Sequence, residues 1–295
     1  MPYAFLPSDD TVQHGVRRIT HRQLTGALDA LESPEDLHSA IHDARKACKK
    51  LRGMIRLIRP HFPHYGKENA ALRDAARLLS GVRDSTAMIE TYDRLAANPD
   101  CTFDRTVAVS LRDSLEDRRA AEEQDQSVKE SLKAFRNALS DTRDRAAKWK
   151  LDKDGFAAIE GGLADTLKQA RRSMKTARKT RAVDDFHTWR KHVKYHWYHA
   201  TLLQNLWPGV FEARIEAARD LGELLGQHHD LANFQILLQD PTMPGAARHA
   251  LYPPARDEMQ RLEDEALALG ALLLSEKPKA VASRWKTWWT LWRDT

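Results

Sequence analysis

One basic pattern occurs twice in this chain, and the repetition limits the folds open to it. His42, Arg45, Lys46 and Lys49 recur as His187, Arg190, Lys191 and Lys194 at a constant offset of 145 positions. Further on, LRDAARLLSGVRD (72–84) is matched by ARDLGELLGQHHD (218–230) at an offset of 146. There Arg73-Asp74 meets Arg219-Asp220, and Asp84 meets Asp230. One residue inserted in the intervening turn accounts for the change of offset. Self-similarity of this kind is the mark of a copied structural unit. The expected architecture is all-α, with two pseudo-symmetric four-helix halves, residues 1–150 and 151–295. Together they would form one helical bundle domain with a central basic groove.

Helical periodicity supports this reading, and no convincing alternating strand run occurs. A first helix is expected from Asp9 to Leu31. Ser33-Pro34-Glu35-Asp36 reads as an N-cap, a proline at the first helical position and an early acid, close to a capping box. The helix it opens is expected to reach Arg59, where Pro60 and Pro63 end it. A third spans Lys67 to Leu95, stopped by Asn98-Pro99, and a long charged region follows from Phe103 to Trp149, bent or broken within. The second set comprises Asp154–Thr180, Asp184–Leu206, Val210–Leu238 and His249–Ser275. A tail helix, Val281–Trp292, closes the chain.

The two basic segments form amphipathic faces. At about 100° per residue, Arg45, Lys49, Arg52 and Arg56 share a narrow sector, with His42 and Lys46 at its edge. Ala44, Cys48, Leu51, Ile55 and Ile58 lie opposite. In the second copy His187, Arg190, Lys191 and Lys194 share one side, while Trp189, Val193, His196 and Ala200 face away. Like charges one turn apart repel by a few tenths of a kcal/mol each. Carrying that cost on two matched helices points to an external anion. The planar fork of arginine suits phosphate, and lysine adds a mobile point charge.

Charge is grouped along the chain. The net charge is +5, and ten Lys or Arg with only two acids lie from Lys168 to Lys194. Six acids lie from Asp113 to Asp125. Two cysteines, Cys48 and Cys101, argue against a disulfide framework and fit a reducing compartment. There is no signal-peptide run and no stretch of 18 apolar residues, so a cytoplasmic protein without membrane insertion is expected.

The repeated His-x-x-Arg-Lys-x-x-Lys helix, followed in each half by LLSGVRD or LLGQHHD, resembles the CHAD family, the conserved histidine α-helical domain. The resemblance covers nearly the whole chain. It implies an all-α bundle of two halves whose central basic groove binds inorganic polyphosphate. It also implies association with polyphosphate granules and with polyphosphate-metabolising proteins. Some members are fused to a triphosphatase domain carrying Glu-x-Glu-x-Lys. This chain has no such string, so the resemblance implies a stand-alone, non-catalytic binding module. The family's basic positions carry over onto His42, Arg45, Lys46, Lys49 and Arg52, and onto His187, Arg190, Lys191 and Lys194. Arg73 and Arg219 match the basic position of the following helix. Arg83-Asp84 matches the basic-acidic pair at its end, where the second copy has His229-Asp230. That histidine implies weaker binding by the second half, or tighter binding below about pH 6.5 as histidines charge. Arg56 extends the α-helical cationic sector. By pseudo-symmetry, Arg18 with Arg22, and Arg171 with Lys175 and Arg178, are expected to join the groove.

Thirteen histidines raise the question of a metal. No CxxC or HExxH occurs, and no metal or other cofactor is expected. His42 and His187 are expected to donate to phosphate or to bond a carboxylate such as Asp84 or Asp230. A Gly-rich phosphate cradle and a nucleophile elbow are both missing, so no enzyme activity is expected. Two rival readings use the same basic face: a nucleic-acid-binding protein, and a scaffold for acidic partners. Base stacking predicts aromatics among the cations. Tyr195, Trp197 and Tyr198 meet that demand in the second copy, but Lys50, Arg52 and Gly53 stand at their places in the first. Nucleic acid is therefore expected only as a competing polyanion. In the tail, Trp285, Trp288, Trp289 and Trp292 share one helical face, expected to pack on the bundle.

Overall fold

The computed structural model describes residues 3–294 apart from 33, 35, 100, 102, 104, 125, 242 and 244; for 80–85, 105–108, 121–124 and 126 it describes the backbone. Among the described residues there are eleven α-helices and no strand. Before position 150 lie α1 (Val12–Ala30), α2 (Leu37–Leu57), α3 (Tyr65–Leu78), α4 (Ser80–Ala97), α5 (Arg105–Gln124) and α6 (Gln126–Ala146). After it lie α7 (Glu160–Thr180), α8 (Val183–Leu202), α9 (Pro208–Leu238), α10 (Gly245–Leu273) and α11 (Pro278–Arg293). Short 3-10 helices at Arg59–His61, Gly155–Ala158 and Gln204–Leu206 sit at helix ends. No helix is long and apolar enough to cross a membrane among the described residues.

Local chemistry sets several boundaries. Thr11 caps α1 by accepting from the His14 amide, and Asp36 caps α2 by accepting from the His38 amide. The expected capping box falls partly outside the described residues, at Ser33 and Glu35. Helices α2 and α8 end at Leu57 and Leu202, which are 145 positions apart. The expected third helix is two helices, α3 and α4, broken at Leu79. Its counterpart α9 runs unbroken for 31 residues. The Ser80-Gly81 pair, a common break signal, stands where α9 has Gly226-Gln227. The Arg45 guanidinium donates to the carbonyl of Ala76 in the last turn of α3, where carbonyls lose their helical partners. The region 103–149, expected to be bent or broken, holds two helices, α5 and α6.

Helix α2 packs on α1, α3 and α8, and α8 packs on α7, α9 and α2. Where α2 crosses α8, Gly53 lies against Tyr198, and a Cβ at Gly53 would stand 2.8 Å from that ring. His199 Nε2 is 2.9 Å from the Gly53 carbonyl at the same crossing. A second close approach is Gly162 on α7, where a Cβ would stand 2.0 Å from the Leu57 carbonyl oxygen. These glycines let backbones approach to distances that no side chain permits.

Two apolar clusters hold the helices. One joins α1, α2 and α3 to α7, α8, α9 and α11, with Leu51, Ile55, Phe186, Trp189 and Trp285 at its centre. The other joins α4 and α5 to α9 and α10 through Ile89, Leu111, Phe234 and Leu251. Each cluster draws residues from both sides of position 150, so neither side completes a core alone. The tail packs as expected: Trp285 and Trp289 are buried, and Trp285 faces Phe211 at 4.6 Å between ring centres.

Candidate functional site

A cavity of about 530 Å³ opens between α2, α4, α8 and α9. From α2 come His42, Arg45, Lys46 and Lys49, and from α8 come Arg190, Lys194, Trp197 and Tyr198. Helix α9 contributes Arg219, Glu223, His229 and Asp230, together with Gly222, Gly226, Gln227 and Asn233. Helix α4 adds Ala87, Met88, Glu90 and Arg94. Residues some 145 positions apart thus share one wall, because α2 and α8 cross at Gly53 and Tyr198.

The basic residues differ in setting. His42, Lys46, Lys49 and Lys191 are exposed, whereas Arg45, Arg190, Lys194 and His187 are half-buried. Arg190 and Lys194 pack along Gly226 and Gly222, one turn apart on α9, where an added Cβ would make ordinary contact. A Cβ at Gly226 would meet the Arg190 guanidinium at 3.5 Å, and one at Gly222 would meet the Lys194 side chain at 3.7 Å. The Lys194 ammonium sits 5.5 Å from the Trp197 ring centre. Burial, then the charges of Arg190 and Lys49, push its pKa down to about 8, against the opposing pull of Asp230 and Glu223. A concentrated, partly desolvated positive field of this kind favours a bound anion.

The wall also carries acids, which corrects the expectation of an all-basic groove. Glu90, Glu223 and Asp230 line it, and Asp230 lies 3.8 Å from Arg94. Arg219 bonds Asp220 at 3.0 Å and approaches Glu216 at 3.5 Å. Sequence reasoning missed Arg94 and Glu90, since α4 reaches the site through tertiary packing on α9 and α2.

The histidines behave differently from expectation. The His187 and His229 rings pack in a tilted pair, with centres 4.2 Å apart and 36° between their planes. Burial, then Lys191 and Arg190, lowers the His187 pKa to about 4. Burial, then His187 and Arg190, lowers that of His229 to about 3. Both rings stay neutral at pH 6.5, so they add no positive charge in the range where a free histidine titrates.

Several expected residues lie away from the cavity. Arg18 is locked to the buried carboxylate of Asp9, with both contacts at 2.6 Å, and also bonds the Ala4 carbonyl. Arg22 lines a separate surface depression with His21 and Asp29. Arg52 donates to Asn69 at 3.1 Å, and Arg56 lies over the Tyr195 ring at 4.4 Å. Arg73 pairs with its neighbour Asp74 at 2.8 Å. Arg171 bonds the carbonyls of Ser275 and Glu276, tying α7 to the α10–α11 connection. Lys175 and Arg178 stand exposed on α7, and Lys191 is exposed on α8 beside His187. The Arg83 and Asp84 side chains lie outside the described residues. Arg18 and Arg171 are each held by acceptors away from the cavity, which spacing along a helix does not reveal.

The CHAD domain model matches residues 22–239, nearly three-quarters of the chain. The chain belongs to the CHAD domain family. Among solved structures, it resembles PptA from Streptomyces chartreusis at 13% identity, covering 88% of this chain and 96% of that one, with a TM-score of 0.61. It also resembles the CHAD domain from the plant Ricinus communis at 16% identity, covering 90% and 89%, with a TM-score of 0.56. At such identities the likeness concerns the fold, and both share the all-α arrangement. A search of the curated proteins returned no match.

Proposed function

We propose that this CHAD domain binds inorganic polyphosphate, without catalysis, in the cavity between α2, α4, α8 and α9. CHAD domains are linked to polyphosphate binding. The observation that carries the reading is convergence: Arg45 and Lys49 from one copy of the motif share a wall with Arg190 and Lys194 from the other. Two copies related by a pseudo-twofold axis would present matched cations to successive phosphates of one chain. Counterions released from the polyanion would add a salt-dependent driving force. His42, Lys46, Arg219, Arg94 and His229 complete the contact surface. The work of the module would be done in the cytoplasm, at polyphosphate granules or beside polyphosphate-metabolising proteins.

Against the nucleic-acid reading stands the aromatic wall. Trp197 packs on Tyr198 with ring centres 5.3 Å apart, and Lys194 lies over its ring, so its faces are already engaged. A base would need an open platform.

Replacing Arg45 and Arg190 together by Glu tests the site. Two charge-assisted bonds at about 1.5–3 kcal/mol each predict at least a ~100-fold loss of polyphosphate affinity by calorimetry, with unchanged helicity by circular dichroism. Unchanged affinity would remove the cavity from the account.

A further inference from the structure

Lys175 and Arg178 of α7 were expected in the groove, yet the structure exposes them away from the cavity. Leu163, Thr166, Leu167, Ala170, Ser173 and Ala177 are the buried stripe of this helix. Opposite that stripe, Lys168, Arg172, Lys175 and Lys179 fall within about 60° of one another at 100° per residue. All four are exposed. At about 1.5 Å per residue they form a straight ladder ~16 Å long.

Every step of the ladder joins like charges at i,i+3 or i,i+4, a small but repeated repulsion. No acid occurs anywhere from Thr166 to Val183. Among the described residues, none of the four cations has a carboxylate within ion-pair distance. Exposed arginines elsewhere do: Arg112 has Asp93 and Glu116, Arg256 has Asp257, and Arg261 has Glu258 and Glu265. The helix dipole favours cations only in the last turn, so it accounts for Lys179 and not for Lys168 or Arg172.

We infer that the outer face of α7 is a second anion-binding strip, and that it takes the part of a long polyphosphate chain that the cavity cannot hold. This rests on the polyphosphate reading above. The exposed residues between Lys168 and Lys179 are Gln169, Arg172, Lys175, Thr176 and Arg178. None is aromatic, as base stacking requires. None is a large apolar residue, as a membrane interface or a protein hot spot requires. A plain row of cations fits a linear, phosphate-dense anion without bases or side chains. A cavity of about 530 Å³ encloses only a short run of such a polymer. An outer strip then raises affinity through effective concentration rather than through stronger individual contacts.

The test compares tripolyphosphate with long-chain polyphosphate on the full chain, wild type and a variant with Lys168, Arg172, Lys175 and Lys179 all changed to Ala. Alanine is the best helix former, and the sites are exposed, so the fold is retained. The expected result is unchanged tripolyphosphate affinity in the variant. Its long-chain affinity should fall roughly 100-fold. The slope of log affinity against log salt for long chains should flatten by about 3, on the single-strand scale of ~0.7 per contact. A variant that keeps the full long-chain affinity overturns the inference. A variant that loses tripolyphosphate binding as well shows that α7 does not act as a separate strip, which also overturns it. Wild-type protein that binds neither polymer rejects the polyphosphate reading itself, and with it this strip.

Discussion

Helices α2 and α8 carry the same motif, yet they hold it in different states. On α2 Lys46 and Lys49 are exposed, as is His42, and Arg45 is half-buried and tied to the end of α3 through the Ala76 carbonyl. On α8 Arg190 and Lys194 lie half-buried along Gly226 and Gly222 of α9, while Lys191 is exposed like its match Lys46. The two glycines stand where the first copy has Ala76 and Ser80, next to the break at Leu79. The cores beneath differ too. His196 and His199 occupy the places of Leu51 and Met54, and both imidazoles are fully buried. His196 accepts from Arg214 at 2.9 Å and stacks on Trp285. The shared motif brings Arg45 and Lys49, and their matches Arg190 and Lys194, to the cavity, whereas His42 and Lys46 line it and their matches His187 and Lys191 do not. The clearest difference in burial is at the last cation: Lys49 is exposed, and Lys194 is half-buried.

The comparison is sharpest in acid. Burial pushes His196 well down and His199 to about 4, with the nearby charge of Arg214 acting on the first. A histidine whose folded pKa lies below its unfolded value stabilises the fold fully above about pH 6.5. That stability is lost as pH falls from 6.5 towards 4. His199 alone accounts for about 3 kcal/mol across that window, at about 1.4 kcal/mol per unit. Thermal melts should show Tm falling between pH 6.5 and 4, and the fall should be smaller in His199→Met. Equal acid sensitivity in that variant would place the cause elsewhere.

Affinity should divide the two copies next. Lys194→Ala removes a half-buried ammonium and should weaken polyphosphate binding by about 1.5–3 kcal/mol. Lys49→Ala removes its exposed counterpart and should cost less than about 1 kcal/mol. Calorimetry on the two single variants measures the difference directly. Equal losses would mean that desolvation does not distinguish the copies.

The smallest effect concerns pH above neutrality. Lys194 is charged below about pH 8 and neutral above it. An anion favours its charged form, so binding above pH 8 should take up a proton. Affinity should then fall with rising pH by a slope approaching one log unit per pH unit. Lys194→Arg should remove the slope, and Lys49→Arg should leave it. Between pH 7.5 and 5.5 His187 and His229 should add no pH dependence to affinity, because both remain neutral there: His187→Ala and His229→Ala should leave the profile over this range unchanged.

Much of the fold could be read from the periodicity and the repeat. The basic helices, their 145-residue offset and the buried tryptophan tail all follow from helical spacing, because burial of an apolar stripe is a local pattern. The break at Leu79 was hidden because helical apolar spacing continues on both sides of the Ser80-Gly81 pair, from Leu72, Ala75 and Leu79 to Met88 and Tyr92. The site was legible where one helix carried the signal, as with Arg45, Lys49, Arg190 and Lys194. It was not legible where α4 supplies Arg94 and Glu90 by packing across the bundle. Nor could spacing alone tell that Arg18 would meet Asp9, or that α7 would turn its cations outward. The histidines looked like pH sensors until their burial beside Arg190 and Lys191 was known.

The most direct test is calorimetric titration with long-chain polyphosphate and with single-stranded DNA of equal total charge, at near-physiological salt. The account predicts tight binding of polyphosphate and much weaker binding of DNA, because the cavity offers matched cations and no open stacking platform. Equal affinity for the two polymers would contradict it and leave a general cationic surface.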